Sequence, residues 1–210
     1  MRIKMFIIYD TEYTTWQGCI TNGWTGNQKK EIVQISALKV TDCLEVVDVF
    51  NVLCKPTVNP VLSDYFINLT NITNEQILKS GILFKDAYAQ FKEFAENYIC
   101  CSHSWGHPFN SKSDGDVIEQ NLELYNLPKD ENIQYRNLAE IFKQLYDKHN
   151  IEVKSQSSGQ IVKILGIENK LDSLNLDIHN ALFDVYSILE GLKYFNDEAK
   201  SLLLTKLNQL

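Results

Sequence analysis

Apolar residues along this chain follow a strand rhythm first and a helical rhythm later. Residues 4–10, KMFIIYD, form an apolar run closed by an acid, which predicts a buried strand. EIVQISALKV (31–40) is rich in β-branched residues and long enough for a central strand. Glu45 to Leu53, EVVDVFNVL, predicts a third strand, and the Thr41–Asp42–Cys43 break predicts a hairpin between the last two. Thr14 to Lys30 is polar, aromatic and glycine-containing, which predicts a loop. These three strands are therefore expected as an antiparallel meander.

After a turn-rich connection, Pro56 to Ser63, the pattern becomes helical. Thr73 and Gln76 form a capping-box pair, so a short helix should begin at Asn74. Phe84 to Asn97 carries Phe84, Ala87, Phe91, Phe94 and Ala95 at helical spacing. Tyr98 to Ser102 predicts a short strand, and Ile133 to Tyr135 a last brief one. Helices are predicted over Asp116 to Tyr125, Leu138 to His149, Gly159 to Leu165, Asn180 to Phe195 and Asn196 to Leu210. Three strands followed by strands alternating with helices predict an α/β fold, a mixed sheet covered by helices.

The 210 residues fit one domain, with a core over about 4–195 and a C-terminal helix, 196–210. An apolar share of 44% is enough to build a core without disulfides. The five cysteines have no framework spacing, and the apolar run near the N-terminus is too short for a signal-peptide core. Reduced thiols in a cytoplasmic protein, with no membrane partner, are expected. A net charge of −7 argues against a broad basic surface gripping long duplex DNA. It remains compatible with an enzyme that holds a few terminal nucleotides through bound cations.

Three groups of residues carry candidate chemistry. Asp10 and Glu12 lie two apart on a strand, so both carboxylates point to one face. Adjacent carboxylates repel unless a proton or cation intervenes, and a hard divalent ion suits oxygen ligands. His179 and Asp184, in DIHNALFDV, lie five apart; within one helix that is roughly 500°, about 140° past a full turn. They converge only if His179 sits on the loop or first turn. Asp114 and Asp116 precede an apolar helical pattern, and one of them should cap or begin it. Each group alone has an ordinary explanation as a solvated strand end, a surface pair or an N-cap.

Together, over roughly residues 4–195, the chain resembles the DEDDh 3′→5′ exonucleases, in the branch with the KapD-like bacterial proteins and the Eri-type RNA 3′-end exonucleases. The resemblance runs through Asp10–Thr11–Glu12 with EIVQISALKV, the segment KPTVNPVLSDYFINLTNITNEQI (55–77), Ser104–Trp105–Gly106 with a downstream aspartate, and His179 four residues before Asp184. In this branch the aspartate usually follows Trp-Gly within about three residues. Here His107 to Ser113 intervene, and Asp114 is preferred over Asp116 because Val117 and Ile118 follow it at the family's helix spacing.

The resemblance implies a ribonuclease H-like sheet of five strands, three antiparallel then two parallel, flanked by helices. It implies that Asp10, Glu12, Asp114 and Asp184 hold two divalent ions, Mg²⁺ or Mn²⁺, about 3.5–4 Å apart. His179 would be the general base. The substrate would be the 3′ end of RNA or single-stranded DNA, and the product a nucleoside 5′-monophosphate. Thr11, Leu69, Thr70, Ile72 and Trp105 are the candidates for substrate binding, with Trp105 offering a stacking surface. Lys112, in the inserted loop, reads as a solvated lysine that could approach a phosphate.

Other readings are an exonuclease fold serving as a binding regulator and an enzyme degrading dinucleotides. A zinc site from Cys100, Cys101, His103 and His107 is disfavoured because adjacent cysteines lack chelate spacing. His149 reads as a cation near a helix C-terminus.

Overall fold

A computed structural model describes residues 5–208. Lys4, placed in the first strand above, and the last two residues of the C-terminal helix lie outside the described residues.

The sheet is built from β1 (Met5–Tyr13), β2 (Ile32–Thr41), β3 (Val46–Lys55), β4 (Ile82–Leu83), β5 (Cys100–Ser102) and β6 (Tyr135–Asn137). Its order is β4-β3-β2-β1-β5-β6. β1, β2 and β3 form the expected antiparallel meander, while β5 runs parallel to β1, and β6 parallel to β5. The expected three-plus-two ladder is present, but the sheet has six strands and not five. The addition is β4, a two-residue strand parallel to the end of β3 through Cys54–Ile82 and Lys55–Leu83. Two residues are too few for an alternation pattern, so β4 left no signature in the sequence.

The helices are α1 (Cys19–Asn22), α2 (Asp64–Thr70), α3 (Asn74–Ser80), α4 (Phe84–Ala95), α5 (Asp114–Leu124), α6 (Ala139–Lys148), α7 (Ile161–Ile164), α8 (Ala181–Phe195) and α9 (Asp197–Asn208). The capping box starts α3 as expected, with Thr73 Oγ1 accepting from Gln76 N and Gln76 Oε1 accepting from Thr73 N. Helix α2 was not anticipated, although Ser63 caps it by accepting from Phe66 N at 3.0 Å. The short α1 lies in a segment expected to be all loop. Helix α5 begins at Asp114, two residues before the expected start, and β6 begins two residues after its expected start.

Alternation along β1 divides the core. Phe6 and Ile8 pack with Leu38, Val40 and Cys101 against α6, α8 and α9. Ile7 and Tyr9 pack with Ile35, Ala37 and Cys100 against α4 and α5. Adjacent cysteines on β5 thus enter opposite cores, which accounts for the poor prospects of a zinc site there. The cysteines are free thiols. No helix among the described residues is long and apolar enough to cross a membrane.

This alternation sets up the functional residues. β1 continues past Tyr9, pairing Asp10 with Ser36, Thr11 with Ile35 and Glu12 with Gln34. Even-numbered positions face α8 and odd-numbered positions face α5. Asp10 and Glu12 are thereby delivered to the α8 side, and Thr11 to the α5 side.

Candidate active site

The start of α8 is fixed to the sheet by side chains. Gln34 Oε1 accepts from Ala181 N at 3.0 Å, and Gln34 Nε2 donates to Asn180 Oδ1 at 3.3 Å and Asn51 Oδ1 at 2.9 Å. Asn180 caps α8, accepting from Leu182 N at 3.2 Å. Asp184 is therefore held in the first turn of α8, 3% exposed, pointing to the end of β1. One carboxylate oxygen from each of Asp10, Glu12 and Asp184 can be chosen so that all lie within 4.8 Å of one another.

His179 sits before the Asn180 cap, on the loop, one of the two positions from which it can converge with Asp184. Its φ of 69° is in the left-handed region, at a cost on the order of 1 kcal/mol. That backbone turn lets His179 N donate to Asp184 Oδ1 at 3.3 Å. Burial lowers the pKa of the half-buried imidazole, so it is neutral near pH 7 and able to accept a proton.

Asp114 approaches from the other layer. It opens α5, and Thr11 Oγ1 donates to its Oδ1 at 3.1 Å. Asp116 is exposed and does not line the cleft. Asp114 is outside the tight three-acid group but lines the same cavity of about 460 Å³, together with Asp10, Thr11, Glu12, His179 and Asp184.

Ser158 was not anticipated from the sequence. Its Oγ donates to Asp184 Oδ2 at 2.9 Å and lies 3.2 Å from Asp10 Oδ1. Ser187 Oγ in turn donates to Ser158 O at 2.8 Å. A lone serine in a polar stretch carries no sequence signal; only the fold shows that it meets two acids. Next to it, a Cβ at Gly159 would lie 2.3 Å from Asp184 Oδ1, so the absence of a side chain leaves room for that carboxylate.

Burial dominates the electrostatics. It raises the pKa of Asp10, with Asp114, Asp184 and Glu12 adding repulsion. It likewise raises Glu12, reinforced by Asp184 and Asp114. Asp114 is pushed up to about 6 by burial against the opposing Thr11 hydrogen bond, and Asp184 to about 7 against that from Ser158. Among the described residues the cleft lining contains no lysine or arginine to offset these charges. Converging oxygen ligands, raised proton affinities and the space left by Gly159 all suit a hard divalent cation.

The remaining candidates divide. Leu69 and Trp105 line the cleft, as does Tyr65 on α2, which the sequence did not single out. Trp105 Nε1 donates to Lys154 O at 3.0 Å, and its ring lies 6.3 Å from that of His103. Thr70 and Ile72 do not line it. Thr70 Oγ1 donates to Phe66 O at 3.0 Å and accepts from Ile72 N at 3.1 Å, while Ile72 packs on Val33, Leu62, Phe66 and Ile77. The segment containing them reaches the cleft, but these two side chains stabilise the α2–α3 corner. Lys112 pairs with Glu119, and His149 Nε2 lies 2.9 Å from Glu198 Oε2.

A comparison with curated protein sequences finds no match. Among solved structures, cell-death related nuclease 4 (CRN-4) is similar at TM-score 0.67 and 19% identity, over 91% of this chain and 63% of that one. The nuclease domain of 3′hExo, a DEDDh family member bound to rAMP, is similar at TM-score 0.62 and 19% identity, over 90% of each chain. E. coli exonuclease I in complex with an oligonucleotide matches at TM-score 0.64 and 16% identity, over 97% of this chain and 43% of that one. These likenesses establish a shared ribonuclease H-like fold. The exonuclease profile RNase_T matches residues 7–192. Neither the profile nor these structures singles out the KapD-like and Eri-type branch. The chain belongs to the RNase_T exonuclease family.

Proposed function

We propose that the chain is a metal-dependent 3′→5′ exonuclease that removes nucleoside 5′-monophosphates from RNA or single-stranded DNA. The observation that carries this reading is the convergence of Asp10, Glu12 and Asp184 within 4.8 Å, in a cleft also lined by His179 and Asp114. Membership of an exonuclease family supports it. So do similar structures described with rAMP, with a histone mRNA stem-loop and with ssDNA.

Asp10, Glu12 and Asp184 would hold one divalent ion, Mg²⁺ or Mn²⁺, and Asp114 would complete a site for a second. Such ions stabilise charge on the attacking and leaving oxygens of a phosphoryl displacement. The chain's own groups do the rest. His179 accepts the proton of the attacking water at an imidazole nitrogen. Ser158 holds Asp184 and Asp10 in register. Leu69, Tyr65 and Trp105 supply the apolar and aromatic surface for the terminal nucleoside, and Thr11 orients Asp114.

The test is incubation of purified protein with 5′-labelled RNA and DNA oligomers and a dinucleotide, with Mn²⁺ or with chelator. A ladder shortening from the 3′ end, with 5′-monophosphates released only in the presence of metal, is expected. Early release of the labelled 5′-terminal nucleotide would refute the proposed polarity, and internal fragments would refute exonucleolytic cleavage. Cleavage of the dinucleotide alone would assign the enzyme to terminal clearance of short products.

A further inference from the structure

A strand longer than one nucleotide brings phosphates beyond the acid cluster, and such phosphates are held mainly by lysine and arginine. Among the described residues the cleft lining supplies neither. Its rim supplies one unusual cation. Lys30 Nζ lies 4.2 Å from the Trp24 ring centroid and 5.3 Å from that of Tyr13, and Tyr13 itself lines the cleft. Tyr13 and Trp24 lie 5.9 Å apart, so they form a two-ring seat under the ammonium.

This half-buried ammonium makes no ion pair or hydrogen bond among the described residues. Lys112, by contrast, pairs with Glu119, and Lys143 with Asp147 at 2.6 Å. Aromatic faces attract a cation without neutralising it, so Lys30 keeps a full charge with which to attract an anion. Burial lowers its proton affinity, and Cys19 and Asp114 act in the opposite direction.

The backbone around it is tied down. Asn121 Nδ2 donates to Lys30 O at 2.9 Å, Trp24 Nε1 donates to Thr14 O at 2.9 Å, and Thr14 N donates to Glu31 O at 2.9 Å. Glu31 is fully buried and accepts from Val58 N at 2.8 Å and Tyr125 Oη at 2.6 Å. An anion arriving here meets an ammonium carried on anchored backbone and resting on two rings, which lowers the entropic cost of binding.

We propose that Lys30, seated on Tyr13 and Trp24, anchors a backbone phosphate of the substrate strand outside the carboxylate cluster. This subsite rests on the nuclease reading above and adds a contact made only by substrates longer than one nucleotide.

The test is equilibrium binding of a fluorescent single-stranded decamer to Asp10→Asn protein in Mg²⁺, across a salt series. Each phosphate contact on a single strand contributes about 0.7 to the slope of log K against log salt. Lys30→Met keeps an apolar stem over the rings, and it should weaken binding and flatten the slope by about 0.7. Lys30→Arg should restore the slope. An unchanged slope in Lys30→Met would overturn the subsite. So would an equal flattening in Lys143→Met, since that would reflect net charge alone. If the unmodified protein neither binds nor shortens the oligomer, the nuclease reading fails and the subsite falls with it.

Discussion

Ser158 Oγ donates to Asp184 Oδ2 at 2.9 Å, and the same oxygen stands 3.2 Å from Asp10 Oδ1. One hydroxyl, held from behind by Ser187, thus bridges acids from β1 and α8. Groups that hydrogen-bond metal-ligating carboxylates set ligand orientation, and their loss typically costs about 10- to 100-fold in metal affinity or activity. Ser158→Ala should therefore weaken Mn²⁺ binding about tenfold, read by calorimetric titration. Unaltered affinity would show the bridge to be incidental.

The raised carboxylate pKa values make metal-free stability depend on pH. Folding raises the proton affinity of Asp10, Glu12, Asp114 and Asp184. The native state then binds more protons than the unfolded chain, and stability falls as pH rises. This contribution is complete below the unfolded value of about 4 and is lost through the folded values, about 6 for Asp114 and about 7 for Asp184. Thermal melts in chelator should show Tm falling from pH 5 to pH 8. Adding Mg²⁺ or Mn²⁺ should raise Tm at pH 8 and change it little at pH 5. Equal metal effects at both pH values would contradict this.

Removing one of these charges should separate stability from function. Asp10→Asn relieves repulsion among buried acids, so it should stabilise metal-free protein at pH 8 by about 1 kcal/mol. The same change should lower nuclease activity on the order of 10³-fold, because a metal-binding charge is lost. Denaturant unfolding alongside the oligomer assay reads both effects.

The cradle beside Asp184 has no room for a methyl group. A Cβ at position 159 would lie 2.3 Å from Asp184 Oδ1 and 2.8 Å from Ile178 Cγ2. Gly159→Ala should displace that carboxylate, destabilise the fold by about 1–3 kcal/mol and weaken Mn²⁺ binding. Full activity with native metal affinity would show that Asp184 can move without consequence.

Asp114 and Asp116 open the same helix with different environments. Asp114 lines the cleft and accepts from Thr11, whereas Asp116 is exposed. Asp114→Asn should reduce activity by about 10²-fold or more, while Asp116→Asn should stay within about twofold of the parent. The reverse order would place the wrong aspartate in the site.

Much of this architecture is legible in the residues. The strand period of two placed Asp10 and Glu12 on one face, and the five-residue separation of His179 and Asp184 required His179 to sit on the loop or first turn. Both relationships are present, the second through a positive φ that no propensity argument specifies. Other features depend on contacts made only after folding. Ser158 has no motif, β4 has two residues, and Lys30 acquires meaning from rings at positions 13 and 24. Thr70 and Ile72 share a segment with Leu69, yet their side chains enter the α2–α3 corner, because a local pattern does not fix which residue of a turn reaches the cleft.

The central claim is that the acids meeting at the ends of β1 and α8 form a divalent-cation site. Anomalous diffraction from crystals soaked in Mn²⁺, measured at the manganese edge, tests it most directly. The expected result is a strong peak ligated by Asp10, Glu12 and Asp184, absent from Asp10→Asn crystals. Empty density among those three carboxylates at saturating Mn²⁺, or a peak held elsewhere in the protein, would contradict the account.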